Sequence, residues 1–145
     1  MIVREILKSK GSTVLSVPAA EPLRHVATLL HEARIGAVIV HDDHCHPVGI
    51  LSERDIVSAI AEQGASALDQ PARSVMTADI ITCTPDDHID GLMQVVTERR
   101  VRHLPVLDAD GDMAGIISIG DLVKARIGEL EREKEALRTY INAVV

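Results

Sequence analysis

Three short stretches concentrate the side chains that could do chemistry. The segment His41 to His46, HDDHCH, places three histidines, a cysteine and two aspartates in six residues, the side-chain types that hold transition metals. GILSERD (49–55) and GIISIGD (115–121) share a glycine, two apolar residues, a serine and, three residues on, an aspartate. Serine and aspartate at that spacing cap the first turn of a helix reciprocally, each side-chain oxygen accepting a backbone N–H. A helix N-terminus that faces a cleft also attracts anions: the hydroxyl reaches a phosphate, and the aspartate can accept from a pair of sugar hydroxyls. Capping explains serine and aspartate but not the glycine that precedes both at the same distance. ERRVRHLPV (98–106) adds Arg99, Arg100, Arg102 and His103. Arg99 and Arg100 close a helix, where cations commonly point to solvent; alternation sets Arg102 and His103 on opposite faces of the strand they begin.

The elements that must position these residues occur twice. Ile35–Val57 aligns with Val101–Val123 without a gap at an offset of 66, with seven of 23 pairs identical, so the chain contains a duplication. Upstream, Leu23, Val26, Ala27 and Leu30 fall on Ile89, Leu92, Met93 and Val96, one apolar helical stripe present in both copies. Each copy reads as a β-branched run (Thr13–Val17; Ile80–Thr84), the amphipathic helix, two apolar runs around a polar turn (36–40 and 48–51; 103–107 and 113–117), and a helix from Ser52 or Ser118. The unit is β-α-β-β-α, preceded by short helical lead-ins at VREIL and PARSVM. The expected class is mixed α/β (α+β), the two tandem units packing as one pseudo-two-fold domain with a C-terminal helix. Repeat 1 with its lead-in helix takes residues 1–67, repeat 2 takes 68–126, and a helical tail takes 127–145; Ala61–Pro71 connects the halves.

The duplication also supplies a control for the metal reading. HDDHCH aligns with LDADGD, an acidic turn without histidine or cysteine, and consecutive turn residues cannot easily place four tetrahedral ligands. A hairpin turn is therefore the expectation, with no metal. Composition agrees with an aliphatic α/β core: 46% of the 145 residues are hydrophobic, yet there is one Tyr and no Phe or Trp. A net charge of -7 opposes nucleic acid or anionic membrane as a partner through the overall field. The charged N-terminus does not read as a signal peptide, and no apolar run has the length of a membrane span, so the expected compartment is the cytoplasm.

The duplicated unit, with glycine, two apolar residues and Ser-x-x-Asp in each copy, resembles a pair of cystathionine-β-synthase-type domains, called CBS domains or a Bateman module, over about Val3 to Val123. The resemblance implies a non-catalytic regulatory module that binds an adenosine-containing ligand between the halves: AMP first, with ADP, ATP or NAD(H) as the others. Carried over position by position, it makes Asp55 and Asp121 ribose ligands and turns Ser52 and Ser118 toward phosphate. Ser16 and Thr82 would lie near ribose and phosphate, and at least one of Arg102 and His103 would touch phosphate. Arg54 stands in the first helical turn of one copy, against the helix dipole, where the other copy has Gly120; an anionic partner fits it, phosphate or a neighbouring carboxylate equally.

Beyond the second motif, Ile127, Leu130, Leu137, Ile141 and Val144 fall on heptad a and d positions, interrupted by Lys134. This tail either folds back or meets a second chain, and the resemblance favours a homodimer that modulates a separate target protein. The competing readings are a ligand-free dimerisation scaffold and a metal binder through His41–His46. An enzyme is not expected, because the chain has no nucleophile elbow, no GxGxxG and no HExxH.

Overall fold

The computed structural model describes residues 1–11 and 14–144; Thr13, at the start of the first expected strand, lies outside them. The first unit consists of β1 (Ser16–Pro18), α2 (Leu23–Ala33), β2 (Ala37–His41), β3 (Pro47–Ser52) and α3 (Glu53–Gln63), preceded by α1 (Val3–Lys10). The second consists of α4 (Ile89–Arg99), β4 (His103–Leu107), β5 (Met113–Ser118) and α5 (Ile119–Val144). α3 and α5 start at matching residues, and the bounds of α2, β2 and β3 repeat in α4, β4 and β5 at the offset read from the sequence. So do the left-handed residues Arg34 and Arg100 that end α2 and α4, and the register shifts at Val40/His41 and Val106/Leu107.

In the first unit β1 pairs parallel to β2 and β2 antiparallel to β3; the second keeps only the β4–β5 hairpin as a sheet. The strand expected at Ile80–Thr84 is reduced to a single parallel bridge, Cys83 to Val106. Prolines account for the loss. In the first unit the Ile39 and Ala19 amides donate to Leu15 O (3.2 Å) and His41 O (3.0 Å). Pro105 and Pro85 occupy the matching positions and have no N–H. The two central bonds survive, Cys83 N–H to Pro105 O (3.0 Å) and Leu107 N–H to Cys83 O (2.9 Å).

Each unit has its own core, but the lead-ins are exchanged. Val3, Ile6 and Leu7 of α1 are buried with Cys83, Ile89, Leu104 and Leu122 of the second unit. The segment of two 3₁₀ turns, Gly64–Asp69 and Ala72–Ser74, buries Ala67 and Ala72 against Val17, Leu23 and Leu51 of the first. Matching bridges, Ile2 to His88 and Pro22 to Pro71, tie each lead-in to its unit. This exchange explains the glycine ahead of each Ser-x-x-Asp. A Cβ on Gly115 would stand 2.6 Å from Leu7 Cδ2, and one on Gly49 would overlap Met76 Sδ. The glycines are the seats on which the lead-ins rest.

The tail is not a separate element. It continues the second unit's last helix, so α5 runs unbroken for 26 residues. HDDHCH forms the β2–β3 turn: Asp42 Oδ1 accepts the amides of His44 and His46, both at 2.9 Å. Asp108 Oδ1 does the same for Asp110 (2.9 Å) and Asp112 (3.0 Å) in the other hairpin. Cys45, with φ 62°, fills the left-handed position that Gly111 takes there.

Candidate functional site

The Ser-x-x-Asp motifs form local structure first. In α3, the Ser52 N–H donates to Asp55 Oδ2 (2.9 Å) and the Asp55 N–H to Ser52 Oγ (3.3 Å). At the start of α5, the Ser118 N–H donates to Asp121 Oδ2 (2.8 Å) and the Asp121 N–H to Ser118 Oγ (3.1 Å). Both are capping boxes, and in both the backbone takes only Oδ2. That leaves the second oxygen of each carboxylate free of the cap.

Two clefts of unlike character lie between the units. The first, about 260 Å³, is lined by Ile50, Ser52, Arg54, Asp55, Thr77, Asp79, Ile80, Ile81 and Arg100 to His103. Its apolar wall of Ile50, Ile80, Ile81 and Val101 suits a flat ring, and three guanidinium groups stand near the capped N-terminus of α3. Within a chain of net charge -7, this is the local basic cluster an anion requires. Among the described residues, Asp55 makes no ion pair.

The second cleft, about 450 Å³, is lined by Lys10, Leu15, Ala33, Ile35, Gly36, Ala37, His103, Ile116 and Ser118. Where the first has Arg54, Arg102 and His103, the matching positions here are Gly120, Gly36 and Ala37. Asp121 is ion-paired: Lys10 Nζ lies 2.6 Å from its Oδ2 and also donates to Ile116 O at 2.9 Å. Burial by itself would raise the Asp121 pKa, but the hydrogen bonds from Lys10 and the Ser118 amide outweigh it and hold the carboxyl below its usual range.

Of the residues singled out from the sequence, the structure gathers Ser52, Arg54, Asp55, Arg102 and His103 in the first cleft, and His103 and Ser118 in the second; Asp121 does not line the second cleft but a neighbouring cavity between α1 and α5, with Lys10 bordering both. Arg102 and His103 were expected on opposite faces, yet both line the first cleft. Arg102 lies one residue before β4, outside the alternation. His103 borders both clefts; burial depresses its pKa, Lys10 adds to the effect, Asp121 opposes it, Arg102 adds and Asp55 opposes.

Ser16 and Thr82 require correction, because neither lines a cleft. Alternation from the buried Val17 and Cys83 turns them outward, Ser16 to within 3.1 Å of His41 Nδ1. The residues one place earlier, Leu15 and Ile81, take the cleft positions. Arg100, read from the sequence as a solvent-facing helix end, lines the first cleft. Lys10 and Asp79 carried no signal, because each belongs to a lead-in whose destination is set by the exchange.

The groups that could have served other chemistry do not converge. Burial pushes the Cys83 thiol up to about 12, the charge of Asp87 adding to it, so it is not a nucleophile. Among the described residues, three ligand atoms come within 4.8 Å of one another at Asp108, Asp110 and Asp112, all exposed, and not at His41–His46.

The duplicated α/β unit, with a capped helix at the start of α3 and of α5 and clefts between the units, defines a tandem-repeat α/β fold. The family model for the CBS domain matches residues 3–62 and 72–128, and the chain belongs to that family. It is 31% identical over 147 residues to the CBS domain-containing protein CBSX3, mitochondrial, of Arabidopsis thaliana, covering 96% of this chain and 71% of that one. The CBS-domain containing protein ATU1752 from Agrobacterium tumefaciens has a crystal structure with a TM-score of 0.81 and 42% identity, covering 86% of this chain and 92% of that one. The CBS domain protein PAE2072 from Pyrobaculum aerophilum, solved complexed with AMP, has a TM-score of 0.74 and 28% identity, covering 83% and 89%. Among the described residues no helix is long and apolar enough to cross a membrane.

Proposed function

We propose that this chain is a non-catalytic sensor of adenosine phosphates, AMP first among them, that reports ligand binding through the relation between its two units. One observation carries the reading: Asp55, without an ion pair among the described residues, lines one cleft together with Arg54, Arg100, Arg102 and an apolar wall. Asp55 accepts from the ribose hydroxyls, Ser52 and the α3 N-terminus meet the phosphate, and the arginines neutralise it. The AMP complex of the similar Pyrobaculum protein supports the choice of ligand. A ligand that touches both units favours the conformation in which both reach it, and that differential affinity is the signal passed to a target protein.

The signal is read on a dimer. Val57, Val123, Ile127, Leu137 and Ile141 leave an apolar stripe exposed on α3 and α5, and a second copy covers it. Calorimetric titration with AMP, ADP, ATP, NAD and GMP, beside an assay of nucleotide turnover, tests the reading. Binding of an adenosine phosphate without turnover, abolished by Asp55→Asn, is the expected result. Turnover, or binding indifferent to Asp55→Asn, overturns it.

A further inference from the structure

We infer that Lys10 is the specificity-determining residue that reserves nucleotide binding for the first cleft, by occupying the sugar acceptor of the second from within the chain. The inference rests on the adenosine-phosphate reading and adds its stoichiometry. Both carboxylates give Oδ2 to their helix caps, but Asp121 Oδ2 also holds the Lys10 ammonium at 2.6 Å, and it is Lys10, not Asp121, that lines the second cleft, so a sugar diol there meets the ammonium in place of the carboxylate.

Lys10 is not a loose surface cation. It is the last residue of α1, whose Val3, Ile6 and Leu7 are buried in the second core and whose Leu7 rests on Gly115. Its ammonium is held at two points, by Asp121 and by the Ile116 carbonyl at 2.9 Å. A sugar entering the second cleft must break both bonds, and that cleft offers no arginine in return.

The first cleft lacks the plug for a reason that lies in the register of the lead-ins. The bridges Ile2–His88 and Pro22–Pro71 correspond, which sets Leu7 against Met76 and Lys10 against Asp79. An aspartate there lines the first cleft and cannot pair with Asp55 as Lys10 pairs with Asp121. The strand position matching Ile116 is Ile50, and it is already engaged by backbone: Ile50 N–H to Thr77 O at 3.0 Å and Thr77 N–H to Ile50 O at 2.8 Å. Asp55 therefore stays available while Asp121 does not.

Calorimetry with AMP on the full chain tests this with four proteins: wild type, Lys10→Met, Asp55→Asn, and the double variant. Methionine keeps the unbranched stem, and a thermal melt of each variant checks folding. Wild type takes about one AMP per chain, Asp55→Asn loses it, Lys10→Met takes about two, and the double variant retains about one, in the second cleft. Two equivalent sites in wild type, no second site in Lys10→Met, or weaker binding in Lys10→Met overturns the role of Lys10. If Asp55→Asn leaves the wild-type ligand bound, the assignment of the first cleft fails while a site gained on removing Lys10 still stands. If no variant binds any adenosine phosphate, both fail together.

Discussion

Gly49→Ala is expected to be costly, and costlier than the same change at Gly115. A Cβ at position 49 overlaps Met76 Sδ and meets Met76 Cγ at 2.8 Å and the Thr77 carbonyl oxygen at 3.0 Å. Methionine can turn its sulfur away, but Thr77 O accepts the Ile50 amide at 3.0 Å and cannot retreat without opening that bridge. At position 115 the close neighbours are the two methyls of Leu7, at 2.6 and 3.2 Å, which a rotamer change can move. Overpacking of a filled site costs about 1–3 kcal/mol, so Gly49→Ala belongs at about 2–3 and Gly115→Ala at about 1–2 kcal/mol. For a chain of this length that lowers the melting temperature by roughly 6–9 °C for Gly49→Ala and 3–6 °C for Gly115→Ala. Chemical denaturation of both variants is the assay, with the slope checked so that a change in midpoint reports stability. Adding Met76→Ala to Gly49→Ala should not restore stability, because the backbone contact remains and a cavity is added. A Gly49→Ala protein within about 0.5 kcal/mol of wild type, or less perturbed than Gly115→Ala, would refute the seat model of these glycines.

Three further outcomes follow from the same contacts. Arg34 (φ 55°) and Arg100 (φ 53°) both end helices in the left-handed region, so Arg34→Gly and Arg100→Gly should each stabilise by about 0.5–1 kcal/mol in denaturation, while only Arg100→Gly weakens nucleotide binding in calorimetry. The folded-state pKa of His103 lies below its ordinary 6.5, so at lower pH the unfolded chain binds the proton that the folded chain refuses; stability is full above 6.5 and falls as pH drops toward the folded value. His103→Gln should flatten that decline below pH 6.5 in thermal melts, and identical slopes would remove His103 as its source. Deleting residues 127–145 removes much of the exposed apolar stripe and should lower the mass seen in sedimentation from dimer to monomer; an unchanged mass would show that the α5 extension takes no part in self-association.

Much of this fold is legible in the residues themselves. The offset of 66 predicts the matching bounds of α2 and α4, β2 and β4, and β3 and β5, and the common start of α3 and α5, because the signals it rests on (apolar period, capping serine, turn aspartate) each act within a few residues. It also turns HDDHCH into a hairpin turn by comparison with LDADGD. The loss of the second unit's first strand was written in Pro85 and Pro105, though the apolar run Ile80–Thr84 concealed it; pattern reports burial, and a ladder needs donors. Ser16 and Thr82 were misplaced for a similar reason, since a motif gives a neighbourhood and strand alternation decides which side chain faces it.

What the sequence alone determined is thus whatever a few consecutive residues can settle: two copies of one unit, a capped helix at each Ser-x-x-Asp, an acidic turn between paired strands. Tertiary structure decided which lead-in serves which unit, and with it that Lys10 reaches Asp121 across 111 positions while Asp79 lines the same cleft as Asp55. The physical reason is that capping bonds join residues three apart and form in any context that starts the helix. The choice between the clefts depends on Leu7 fitting over Gly115 and Met76 over Gly49, packing contacts that no local period announces.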